Sequence, residues 1–118
     1  MDKAKINYLE IPAVNFDETK RFYTQVFGWK LIDYGPDYMA FENAGINGGF
    51  YKSKLKSTSQ NGSVLIVFYA KSLIGLHNKI SQNGGKIIKD TYSFPGGYRF
   101  HFTDPNGNEF AVWSEENN

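Results

Sequence analysis

The 118-residue sequence predicts one α+β domain made of two β-α-β-β-β modules. Three observations carry that expectation. The same order of elements, read from hydrophobic periodicity and turn residues, occurs twice along the chain. The halves also echo each other locally: Phe27-Gly28-Trp29-Lys30-Leu31-Ile32 parallels Gly84-Gly85-Lys86-Ile87-Ile88, and residues 38–43 parallel 99–104. Between the halves, residues 54–62 hold Ser, Thr, Gln, Asn and Gly with little that is apolar, which reads as a linker.

Module one covers about residues 4–52. Residues 6–11 alternate in polarity as a strand does, and Pro12 is expected to end it. Asn15 stands where a helix N-cap belongs, with Glu18 three positions on to complete a capping-box pattern. Phe16, Tyr23, Val26 and Phe27 follow at helical spacing, and Gly28 supplies a left-handed C-terminal cap. Strands over 29–34, 38–43 and about 47–52 follow, parted by Gly35-Pro36-Asp37 and Asn43-Ala44-Gly45.

The linker runs over about 53–62, and module two covers about 63–115. An apolar strand is expected over 63–70, then a helix capped by Ser72, carrying Leu73, Leu76 and Ile80 and ended by Asn83-Gly84-Gly85. Residues 86–92 and 98–103 read as strands about a Phe94-Pro95-Gly96-Gly97 turn. Asp104-Pro105-Asn106-Gly107 is a strong reverse turn, with Pro fixing φ and Gly accepting a positive φ, before a last strand over 109–113.

Composition narrows the function classes. Hydrophobic residues at 41% and charged residues at 21% argue against disorder. Aromatics at 17% are numerous enough to build a dense core or an aromatic-lined pocket. A net charge of +1, only two arginines and scattered lysines give no basic stripe for nucleic acid. No cysteine is present, so disulfides, thiolate metal sites and a Cys nucleophile are excluded. The N-terminus lacks the apolar core of a signal peptide, and no apolar run reaches membrane-spanning length. The expectation is a cytoplasmic protein without membrane or nucleic-acid partners.

Leu9-Glu10-Ile11-Pro12, then Phe22-Tyr23 and Val26-Phe27-Gly28-Trp29, then Asp104-Pro105-Asn106-Gly107-Asn108-Glu109 form a combination. Taken together, it resembles the vicinal-oxygen-chelate superfamily, which includes glyoxalase I, bleomycin-resistance proteins, fosfomycin-resistance enzymes and extradiol dioxygenases. The resemblance implies a curved, cup-shaped mixed sheet with the helices on its outer face, and pairing of modules within a homodimer. It also implies, for catalytic members, one divalent metal held by the first and last strands of each half. Here the equivalent positions are Tyr8, Gly49, Val64 and Ala111. A phenol, a hydrogen, an isopropyl and a methyl do not make a ligand set, so no metal and no other cofactor is expected. A one-residue shift offers Glu10 or Glu109 instead, at the cost of turning apolar neighbours into the cup.

Strand alternation then predicts the lining of the cup. Tyr8 and Glu10 point inward with Leu9 and Ile11 toward the helices; Val64, Ile66 and Phe68 point inward, as do Arg99, His101, Glu109, Ala111 and Trp113. Tyr38 and Tyr51 join from the first half. Tyr8, Tyr38, Tyr51, Phe68, Arg99, His101 and Trp113 are therefore the candidate ligand-binding residues. Trp113 and Tyr8 suit stacking on a planar or cationic ligand, and Arg99 suits a carboxylate or phosphate. His101, with Glu10 or Glu109, is the candidate for acid–base chemistry. His77 reads as a partly exposed helix residue. The favoured reading is a metal-independent small-molecule-binding protein rather than an enzyme. Two alternatives stand beside it: a glyoxalase-class lyase or isomerase, and an interaction module whose cup is filled.

Overall fold

The computed structural model describes residues 3–118. Its elements run β1 (Tyr8–Ala13), α1 (Phe16–Phe27), β2 (Lys30–Asp33), β3 (Tyr38–Glu42), β4 (Asn47–Lys52), β5 (Ile66–Tyr69), α2 (Leu73–Gln82), β6 (Lys86–Phe94), β7 (Gly97–Thr103) and β8 (Glu109–Ser114). Two β-α-β-β-β modules result. Each module makes its own four-stranded sheet, in the orders β1-β4-β3-β2 and β5-β8-β7-β6. The first and last strands of each module pair in parallel and the other neighbours antiparallel. The matching orders fit the internal repeat. The two sheets are open, and β1 and β5 each keep one unpaired edge.

The helix ends follow from their caps. Asn15 accepts the Glu18 N–H at 3.0 Å and starts α1, and Gly28, at φ 70°, closes it in the left-handed region. Ser72 accepts the Gly75 N–H at 3.1 Å to start α2. No helix among the described residues is long and apolar enough to cross a membrane.

Aromatic side chains fill the space between the helices and both sheets. Tyr23 stacks on Trp29 at 4.6 Å, Trp29 lies 4.5 Å from Phe41, and Phe27 stacks on Phe68 at 4.5 Å. Phe22 reaches Phe102 of the second sheet, and Tyr23 reaches Phe50 of the first and Phe110 of the second. One core therefore spans both modules. Much of the aromatic content is used here rather than in a pocket.

The Asp104-Pro105-Asn106-Gly107-Asn108 turn fastens the modules through polar groups. The buried Asp104 carboxylate accepts the Asn106 and Asn108 N–H groups at 2.9 Å and the Tyr23 hydroxyl at 2.8 Å. Asn106 Oδ1 accepts the Val14 N–H, and its Nδ2 donates to Thr19. Asn108 Nδ2 donates to the Pro12 carbonyl at 2.7 Å, and its Oδ1 accepts the Ser57 N–H at 2.9 Å. Burial pushes the Asp104 carboxyl upward from its ordinary pKa, against the pull of these donors.

Two expectations need correction. Strand β1 continues through Pro12 to Ala13 instead of ending there. The Pro12 carbonyl faces Asn108, so its missing N–H lies on the unpaired edge, where proline breaks no ladder bond. Strand β5 is shorter than the apolar run, and its alternation is reversed. Ile66 and Phe68 pack into the core, whereas Val67 and Tyr69 point to the opposite face and Val64 lies outside the strand, 84% exposed. A run apolar at every position carries no parity, so the Phe68 ring, which meets Phe27, Phe102 and Phe110, decides the matter.

Candidate functional site

Register fixes which side chains share a sheet face. On the first sheet, Tyr8 and Glu10 (β1), Tyr38 (β3), and Gly49 and Tyr51 (β4) lie on the face opposite the core. Tyr38 is the centre of this group. Its hydroxyl lies 2.7 Å from that of Tyr8 and donates to Glu10 Oε2 at 2.9 Å. Its ring covers Gly49 so closely that a Cβ there would overlap it. Loss of water around the ring, then the bonds to Tyr8 and Glu10, holds the Tyr38 phenol well above its ordinary pKa.

On the second sheet, the face opposite the core carries Val67 and Tyr69 (β5), Glu109, Ala111 and Trp113 (β8), Arg99, His101 and Thr103 (β7), and Lys89 and Tyr92 (β6). His101 is its hub. Nδ1 lies 3.0 Å from Glu109 Oε2; Nε2 lies 3.2 Å from Arg99 Nη2 and 3.1 Å from the Tyr92 hydroxyl. A guanidinium only donates, so Nε2 accepts and Nδ1–H donates to Glu109. The Ser59 N–H bond to Glu109, followed by the bond from His101, draws the Glu109 carboxyl below its ordinary pKa against the opposing effect of burial. Trp113 meets Tyr69 and Phe94 edge-on at 5.1 and 6.2 Å.

The candidate residues thus fall into two groups, one on each sheet. Tyr8, Tyr38, Tyr51 and Glu10 form the first; Arg99, His101, Glu109 and Trp113 form the second. Among the described residues no hydrogen bond or ring contact joins them. Glu10 and Glu109 approach only as wall residues of one open depression beneath the linker, where Ser57 and Val64 also stand. Each carboxylate is bonded within its own group, Glu10 to Tyr38 and Glu109 to His101. Phe68 belongs to neither group. It lines an apolar cavity of about 280 Å³ with Leu9, Ile11, Trp29, Phe41 and Ile66, on the core side of the sheets. His77, on α2, is 3.3 Å from Asp90 and edge-on to Phe100, away from both groups.

The four positions equivalent to metal ligands do not fit a metal. Tyr8 is bonded to Tyr38, Gly49 lies under the Tyr38 ring, Val64 is exposed and Ala111 is fully buried. Among the described residues no three His, Cys, Asp or Glu side chains gather closely enough to hold an ion. These four side chains by themselves supply no ligand set for a divalent ion.

Sequence reasoning missed Tyr92, Tyr69, Lys89 and Phe94 on the second face. Two register shifts in β6 bring Tyr92 opposite Arg99, and no residue pattern announces them. Tyr69 was hidden by the parity of β5.

A fold of paired β-α-β-β-β modules with two open mixed sheets is the architecture of glyoxalase-like proteins. The model of the Glyoxalase/Bleomycin resistance protein/Dioxygenase superfamily matches residues 5–112, and the chain belongs to that family. Among solved structures, the chain is similar to the genomically encoded fosfomycin resistance protein FosX of Listeria monocytogenes. That similarity has 16% identity and a TM-score of 0.78 over 96% of this chain and 94% of the other. It is also similar to a glyoxalase/bleomycin resistance protein/dioxygenase family enzyme of Burkholderia phytofirmans, at 21% identity and TM-score 0.76 over 94% and 98%. Hypothetical protein SA1046 of S. aureus gives 14% identity and TM-score 0.74 over 94% and 96%. At these identities the likeness is one of fold. No curated protein matches the chain.

Proposed function

We propose that this chain is a metal-independent small-molecule-binding protein whose ligand lies on the second-module face around His101, Arg99 and Trp113. One observation carries the reading: the places from which a metal would be held contain Tyr8, Gly49, Val64 and Ala111, and Tyr38 already occupies the space over Gly49. Recognition then rests on stacking, hydrogen bonds and charge. The second face offers all three, with the Trp113, Tyr69 and Phe94 rings beside a hydrogen-bonded imidazole and a guanidinium. The protein works in the cytoplasm as a homodimer. The exposed apolar side chains Ile6, Leu55 and Val64, off that face, support pairing with a second copy.

A thermal-shift screen with small aromatic molecules, run with a chelator present, tests this reading. The expected result is saturable stabilisation by at least one ligand class, unchanged by the chelator and abolished in Trp113→Ala. Stabilisation that requires a divalent ion contradicts it.

A second reading is a metal-free lyase or isomerase, favoured by the Glu109–His101–Tyr92 line. In that line Glu109 fixes the Nδ1–H tautomer, and Tyr92 is the member that would exchange a proton with a substrate. Turnover that His101→Gln abolishes while ligand affinity stays would favour it over simple binding.

A further inference from the structure

The geometry points to an oxyanion on a planar aromatic body, an aryl carboxylate or aryl phosphonate, as the ligand class of the second-module face. This rests on the proposed binding site and names what that site takes. Arg99 has no acidic partner among the described residues. Its one hydrogen bond goes from Nη2 to His101, and its Nε–H is shielded from water without an acceptor. Tyr92 and Phe94 flank the guanidinium, each ring centre 5.9 Å from its central carbon. Arg99 is only partly exposed, and its shielded Nε–H and its lack of an acid in contact both favour an incoming oxyanion.

The fold itself withholds the obvious acid. Continued without shifts from the Lys86–Thr103 pair, β6 would set Asp90 opposite Arg99. The two register shifts set Tyr92 there instead, and Asp90 lies beside His77. Of the acids beside this face, Glu109 is engaged by the Ser59 N–H and His101, and Glu115 by the Tyr69 hydroxyl. Lys89 adds a second cation on the same face, with Nζ 4.3 Å over the Tyr92 ring. Both acids are thus engaged away from Arg99, which stands beside Trp113 and Phe94, whose rings can hold a flat apolar body.

The chain suits a direct test, since it has two arginines, Arg21 and Arg99, and two tryptophans, Trp29 and Trp113. Benzoate, phenylphosphonate, inorganic phosphate, benzamide and benzylamine are titrated into ¹⁵N-labelled protein. The Arg Nε–H and Trp indole N–H signals are then followed. Benzoate or phenylphosphonate is expected to move Arg99 and Trp113 together and saturably while Arg21 stays still. Benzamide should bind about ten-fold more weakly or worse, the loss of one charge-assisted hydrogen bond. The arms with benzoate and phenylphosphonate tell a carboxylate from a phosphonate. Arg99→Gln should erase the preference over benzamide with the backbone spectrum retained, whereas Arg99→Lys, which keeps the charge but loses the planar fork, should weaken benzoate binding yet keep the preference; a Lys variant without any preference overturns the assignment. Benzamide or benzylamine moving Trp113 as well as benzoate overturns the oxyanion assignment and leaves the binding site standing. Inorganic phosphate matching phenylphosphonate overturns the aromatic half. Signals at Arg99 and Trp113 that no probe moves overturn both the assignment and the site.

Discussion

Replacing Asn108 with Ala should cost about 3–4 kcal/mol of stability, because one buried amide serves three separate segments. Its Oδ1 accepts the Ser57 N–H of the linker at 2.9 Å, and its Nδ2 donates to Pro12 of β1 at 2.7 Å and to Asp104 at 3.2 Å. Truncation strands an N–H and a carbonyl, at about 1–1.5 kcal/mol each, and takes a donor from a buried carboxylate, at about 1 kcal/mol. With an unfolding entropy of about 2.1 cal/mol/K per residue, this chain should then melt roughly 12–16 °C lower. Urea denaturation and calorimetry measure both quantities. A loss below about 1 kcal/mol would refute the claim that this turn fastens the modules.

Three more outcomes follow from the same contacts. Gly49→Ala should destabilise by about 1–3 kcal/mol, since the new methyl meets the Tyr38 ring, and most of that loss should vanish in a Tyr38→Ala background; equal losses in both backgrounds would contradict the contact. Phe68→Ala should cost about 3 kcal/mol by opening the core, yet leave ligand response at Trp113 unchanged; a lost response would return Phe68 to the binding face. Glu109 has a folded pKa below its unfolded one, so its contribution is present above the ordinary carboxylate range and fades as pH falls through the lowered value. Acid denaturation of Glu109→Gln should accordingly be flatter below about pH 4 than that of the parent, as read by fluorescence.

The legible parts of this fold are those where a residue type answers a local need. Asn15, Ser72 and Gly28 cap helices where their chemistry places them, and the alternation of β7 and β8 puts Arg99, His101 and Trp113 on one face. Illegible were the features set by distant partners. Phe68 turns inward because Phe27, Phe102 and Phe110 await it, a fact no pattern in the apolar run contains. Tyr92 reaches Arg99 through register shifts, which arise from how strands pair rather than from either strand alone. Asp104, Asn106 and Asn108 read as an ordinary turn, and only their partners 80 or more residues away reveal a fastening between modules.

Metal analysis of the untagged protein, followed by calorimetric titration with Zn²⁺, Ni²⁺ and Mn²⁺, bears most directly on a site that recognises its ligand by rings and charge alone. The prediction is far less than one ion per chain as purified and no saturable heat on titration. One tightly held divalent ion per chain, whose removal also abolishes ligand binding, would contradict it.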